Sequence, residues 1–160
     1  MLKRIFVRRW RAVVLVLGAG LIGPTSAAGQ SPLAIIVSAE NPMEDISLNN
    51  LQKLFEGRST SLVDIAKVVL YQHAASREQF YEQALKTTVR RATRAWIALV
   101  FSGEGGAPPV DFDRAIEVVQ AVATKRGGLG FVPLSEVDTD LVRVLTVDGW
   151  SAADSRYPLR

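Results

Sequence analysis

The chain has 160 residues, 19 lysines and arginines against 16 aspartates and glutamates, one histidine and no cysteine. Disulfides are therefore excluded, and the length suits one ordinary domain with a packed core, not two. The first 28 residues hold five of the cations and none of the acids, which leaves 14 against 16 for the rest. The isoelectric point near 9.5 thus belongs to the N-terminus and gives no support to nucleic-acid binding.

Residues 1–28 read as a secretory signal peptide. Lys3, Arg4, Arg8, Arg9 and Arg11 form a basic region, residues 12–23 an apolar one, and Ser26 and Ala28 the small residues of a cleavage site. The apolar stretch is too short for an ordinary membrane span. The mature chain is expected in the periplasm or outside the cell, with no span left after cleavage.

Residues 33–38 (LAIIVS) are nearly all apolar and branched, the composition of a strand buried on both faces. Asn41-Pro42 signals a turn. Ser47 can cap a helix carrying Leu48, Leu51, Leu54 and Phe55 on one side, closed by Gly57. Residues 65–71 form a second apolar run and read as a strand that empties at residues 72–75. The chain then re-enters order at Ser76, which with Gln79 three residues on makes a capping box. A helix start at a strand end can hold an anion on its backbone N–H groups, with the Ser76 hydroxyl and the Arg77 guanidinium as further donors. Simple capping by Ser76 and a solvated Arg77 is the ordinary alternative.

Thr87 or Thr88 can cap a further helix, with Val89, Ala92, Trp96, Ala98, Leu99 and Val100 inward and Arg90, Arg91 and Arg94 outward as a solvated face. Residues 102–110 (SGEGGAPPV) are a loop. Asp111 is expected to cap a helix bearing Phe112, Ala115, Ile116, Val119 and Val122. Residues 129–132 and 141–147 read as strands, and 151–160 as a C-terminal tail. Strands alternating with helices point to an α/β domain over 29–150, with ligands held beyond the carboxyl ends of the strands.

Several blocks follow one another in a recognisable order. They are Ile35-Ile36-Val37, Asn41-Pro42, Ile46-Ser47-Leu48, the run from Leu51 to Arg58, and Ser76-Arg77-Glu78-Gln79-Phe80-Tyr81. Trp96, Phe101-x-Gly103, Pro108-Pro109 and Gly127-Gly128-Leu129-Gly130-Phe131-Val132 complete the series. Together they resemble the substrate-binding proteins of phosphate ABC importers, in their short single-lobe form, over about residues 33–149. The resemblance implies a single lobe of the type 2 periplasmic-binding-protein fold, α/β, with a mostly parallel central sheet flanked by helices. It implies phosphate or a related oxyanion as ligand, at Ser76 and Arg77, with Ser38 brought to the same edge. The glycine block is implied to pack a helix end against a strand.

Three departures stand out. Ser76-Arg77-Glu78 lacks the glycine and threonine of the family motif, Leu62 stands where a tryptophan is usual, and the second lobe of the clamshell is missing. A single lobe leaves a wet site without the strengthening that water exclusion gives, so binding is expected to be weak unless a partner supplies the second wall. An ABC permease or a membrane sensor would be such a partner. The alternative is an envelope interaction module that docks onto a sensor or transporter with no small ligand. Catalysis is disfavoured. The lone His73 lies three residues before Ser76, but such a pair is more often incidental than nucleophilic. No metal-ligand spacing and no cofactor motif is present.

Overall fold

The computed structural model describes residues 31–62, 65, 67–103 and 106–160; the expected signal peptide lies outside them. The branched run forms strand β1 (Leu33–Ser38), buried along its whole length. After the Asn41-Pro42 turn come a two-residue strand β2 (Asp45–Ile46) and helix α1 (Leu48–Phe55). Ser47 caps α1 as expected, its hydroxyl accepting from the Asn50 N–H at 3.2 Å. Strand β3 (Val69–His73) leads through a tight turn (Ala74–Ser76) into α2 (Arg77–Leu85). Helix α3 (Val89–Ser102) is capped by the Thr88 side chain. Strand β4 (Val110–Phe112), helix α4 (Ala115–Ala123) and strands β5 (Gly128–Pro133) and β6 (Val142–Val147) complete the order.

One six-stranded sheet results, in the order β2-β6-β1-β5-β3-β4. Five strands run one way, and β1 runs against both of its neighbours, β5 and β6. The sheet is thus mostly parallel, with its centre reversed. Both faces of β1 are covered, which is why its sequence does not alternate. Leu33, Ile35 and Val37 point to a core shared with α1, α2 and α3, while Ala34 and Ile36 point to one shared with α4. Rings fill the first: Phe80 stacks on Phe131 at 3.9 Å between centroids and leans on Phe55 at 4.6 Å. On the other face, α4 lies so close that a Cβ at Gly130 would come within 3.0 Å of Val118 Cγ1 and of the Tyr71 carbonyl. A Cβ at Gly128 would meet the Val122 carbonyl at 2.9 Å. The glycine block is there for packing.

Several expected elements shift. The second strand starts at Val69, because Ile65 instead closes a small bridge with Leu62. Asp111 caps no helix; it sits in the edge strand β4, and α4 begins at Ala115 after Arg114, whose N–H donates to Glu117 Oε2 at 3.3 Å. In α3, Ala98 and Val100 face solvent, because the helix meets the core only through Ala92, Trp96 and part of Val89 and Leu99. Residues 151–160 are no loose tail. Ala152, Tyr157 and Leu159 are buried in the first core, and the Leu33 N–H donates to the Leu159 carbonyl at 2.8 Å.

Candidate functional site

The end of β3 delivers Gln72 and His73, both buried, to the edge of the sheet. The chain does not stop there and restart. It turns at once through residues 74–76, so Ser76 already has helical backbone angles (φ −95°, ψ 0°) and its side chain caps nothing. The hydroxyl is buried and shares a 2.8 Å hydrogen bond with His73 Nδ1. Gln79, expected to complete a capping box, donates instead to the Ser31 carbonyl at 3.1 Å. A cap needs extended geometry to reach the N–H groups ahead of it, and the tight turn removes that geometry.

Arg77 heads α2 with a third of its side chain exposed. Its Nη1 donates to both carboxylate oxygens of Asp111, at 3.0 Å each. Asp111 lies directly across from Gln72 in the β3–β4 pairing, and Gln72 Nε2 donates to the same carboxylate at 3.0 Å. Behind it, the Tyr81 hydroxyl donates to Gln72 Oε1 at 3.1 Å. Burial, reinforced by the Asp111 charge, pushes the Tyr81 hydroxyl up to about 12, so Tyr81 is a donor throughout the physiological range. Four residues from three elements thus make one line: Tyr81, Gln72, Asp111, Arg77. Its donors converge on an anion, and that anion belongs to the chain.

Of the residues expected to act together, the sheet brings Ser76 and Arg77 side by side but not Ser38. Because β1 runs against β3, Ser38 falls level with Gly128 of β5 whereas His73 falls level with Val132. Four residues of strand separate the levels by about 13 Å. At its own edge the Ser38 hydroxyl donates to the Ala123 carbonyl at 3.4 Å, tying β1 to the end of α4. Gln72, Tyr81 and Asp111 escaped the sequence reading. One signal was available for Asp111: Val110-Asp111-Phe112 alternates apolar, polar, apolar after two prolines, as an edge strand does. Among the described residues no cluster of metal-ligating side chains occurs, and no helix is long and apolar enough to cross a membrane.

No protein-family model and no curated protein sequence matches the chain. Solved structures do. A putative phosphate ABC transporter substrate-binding protein with bound phosphate, from Clostridium perfringens, is 20% identical, with a TM-score of 0.61 over 76% of this chain and 47% of its own. PstS from Borrelia burgdorferi is 15% identical, with a TM-score of 0.63 over 81% of this chain and 54% of its own. An ABC-type phosphate transport receptor from Vibrio cholerae is 14% identical, with a TM-score of 0.60 over 76% and 48%. The fold is that of the phosphate-transport binding proteins. The resemblance carried by the sequence blocks holds at the level of fold, and this chain spans about half the length of the binding proteins it matches.

Proposed function

We propose that this chain is an exported solute-binding-type lobe that holds phosphate or a related oxyanion weakly at Gln72 and Arg77, in exchange for the Asp111 carboxylate, without enzymatic chemistry. The observation that carries the reading is the convergence of Gln72 Nε2 and Arg77 Nη1 on one carboxylate, both at 3.0 Å. Donors that hold a carboxylate also suit an oxyanion of similar size. Ser76, buried and bonded to His73, sets the turn and is not itself a ligand. The phosphate bound to the Clostridium perfringens relative agrees with this choice of anion.

Magnitudes keep the affinity low. A half-exposed ion pair contributes about 0–1 kcal/mol, so displacing Asp111 costs little. Hydrogen bonds to a charged group contribute about 1.5–3 kcal/mol each, against an association cost of several kcal/mol, and the displaced carboxylate stays close enough to repel the guest. Millimolar binding follows, unless a permease or membrane sensor closes over the site.

Isothermal titration with phosphate and sulfate tests this. Asp111→Ala should tighten phosphate binding about tenfold, since one hydrogen-bonded charge competitor is gone, and adding Arg77→Ala should abolish it. No heat from Asp111→Ala at millimolar phosphate would sink the reading. The self-filled site also favours a second reading: docking onto a sensor or transporter with no small ligand. Capture of such a membrane protein, unchanged by phosphate and by Asp111→Ala, would support that one.

A further inference from the structure

A second region, remote from Asp111, collects positive charge where α2 meets α3. The C-terminus of α2 ends on Lys86 in a left-handed conformation (φ 53°), which turns the chain so that Lys86, Arg90, Arg91 and Arg94 surround one open hollow of about 460 Å³. Thr87 and Thr88 complete its lining, and no carboxylate takes part. Among the described residues, none of the four cations pairs with an acid within 4.0 Å; Lys53, Lys67, Lys125, Arg126, Arg143 and Arg160 are likewise without one, but only these four share a single hollow. Four neighbouring cations repel one another, and an anion placed among them relieves that repulsion.

The hollow shares Thr87 and Arg91 with a second one of different character. This second hollow measures about 220 Å³ and its apolar surface comes from Leu85, Ala92, Ala95 and Trp96, above the fully buried Phe55. Its rim carries the Glu56–Arg58 ion pair, so the charges there are already matched. Trp96 is locked in place because its Nε1 donates to the Phe55 carbonyl at 2.9 Å. A cavity of about 150 Å³ is enough for a benzene ring, so the apolar hollow has room for one. On the other side of Arg90 the surface changes again: Glu78 and Glu82 line the next depression, which shares Thr88 and Arg90 with the basic one. Those acids would face a flat anionic bilayer with like charge, which favours a compact head group over a membrane surface.

We propose that the α2–α3 junction binds an amphipathic phosphate monoester, with a single ring or short chain over Ala95 and the open edge of Trp96 and the phosphate among Lys86, Arg90, Arg91 and Arg94. Arg91, common to both hollows, holds the ester end of the phosphate. The site is independent of Gln72 and Arg77 and stands whether or not a free oxyanion binds there.

Phenyl phosphate is the probe, followed by amide chemical shifts of the purified protein, with inorganic phosphate and phenyl glucoside as controls. Saturable shifts confined to residues 55–58 and 85–96 are expected, with phenyl phosphate binding about tenfold more tightly than either control, because each control lacks one of the two contacts. Arg91→Ala with Arg94→Ala should weaken binding about tenfold by removing two charge-assisted donors, and Ala95→Phe should weaken it by filling the apolar hollow. Arg77→Ala should change nothing. Circular dichroism of each variant separates lost binding from lost folding. The proposal fails if phenyl phosphate gives no saturable shift, or binds no better than either control. It fails equally if the shifts map to residues 72–77, a result that would support the Arg77 site alone.

Discussion

Two basic regions of this molecule look alike in the sequence and behave in opposite ways in the fold. Arg77 stands beside Glu78, yet its partner is Asp111, 34 residues on and brought in by a neighbouring strand. Arg90, Arg91 and Arg94 stand beside no acid in sequence and, among the described residues, acquire none within 4.0 Å in space. The difference teaches that an arginine's availability is decided by strand pairing and helix placement, not by its sequence neighbours. At Arg77 the field is cancelled locally, while at the α2–α3 junction it reaches solvent and weakens with salt over about 8–10 Å.

Both regions are carried by α2, which Phe80 anchors to the core, so the largest expected effect removes the comparison altogether. Phe80→Ala should cost about 3–5 kcal/mol in urea unfolding, because Phe80 is fully buried and stacked on Phe131. A loss under about 1 kcal/mol would mean that the stack does not anchor α2.

A narrower change acts on one region only. Gln72→Leu leaves the buried Tyr81 hydroxyl without its acceptor and should cost about 1–3 kcal/mol. Amide shifts at residues 86–96 should stay where they are. Movement there would show that the two regions are coupled.

The smallest effects separate the two kinds of arginine. Arg77→Ala should lower stability by no more than about 1 kcal/mol, and less at high salt. Arg94→Ala should leave stability within about 0.5 kcal/mol or raise it slightly, because it relieves repulsion. Thermal melts at low and high salt decide: a larger loss from Arg94→Ala than from Arg77→Ala would reverse the assignment of which cation is partnered.

Much of the scaffold was legible because it depends on local pattern. Leu33–Ser38 was recognisable as doubly buried from its unbroken apolar run, and α1 from its cap at Ser47 and its one-sided leucines. What pattern cannot carry is direction and partnership. An apolar run looks the same whichever way the strand points, so the reversal of β1 stayed hidden and with it the separation of Ser38 from Ser76. The capping box at Ser76 and Gln79 had the right letters, but the turn out of β3 began two residues before it. Asp111 read as a cap because the strand that places it is only three residues long. The terminal segment read as a tail, although Tyr157 and Leu159, spaced among charges, are both buried.

The reversed central strand has a consequence for how the protein is made. β1 is among the first parts of the described chain to be synthesised, yet its two neighbours in the sheet are the last two strands, and its Leu33 amide is satisfied only by residue 159. Contacts so distant along the chain close slowly, and residues out to about 147 must be made before the middle of the sheet can form. Until then β1, apolar along its whole length, has neither of its sheet neighbours to pair with.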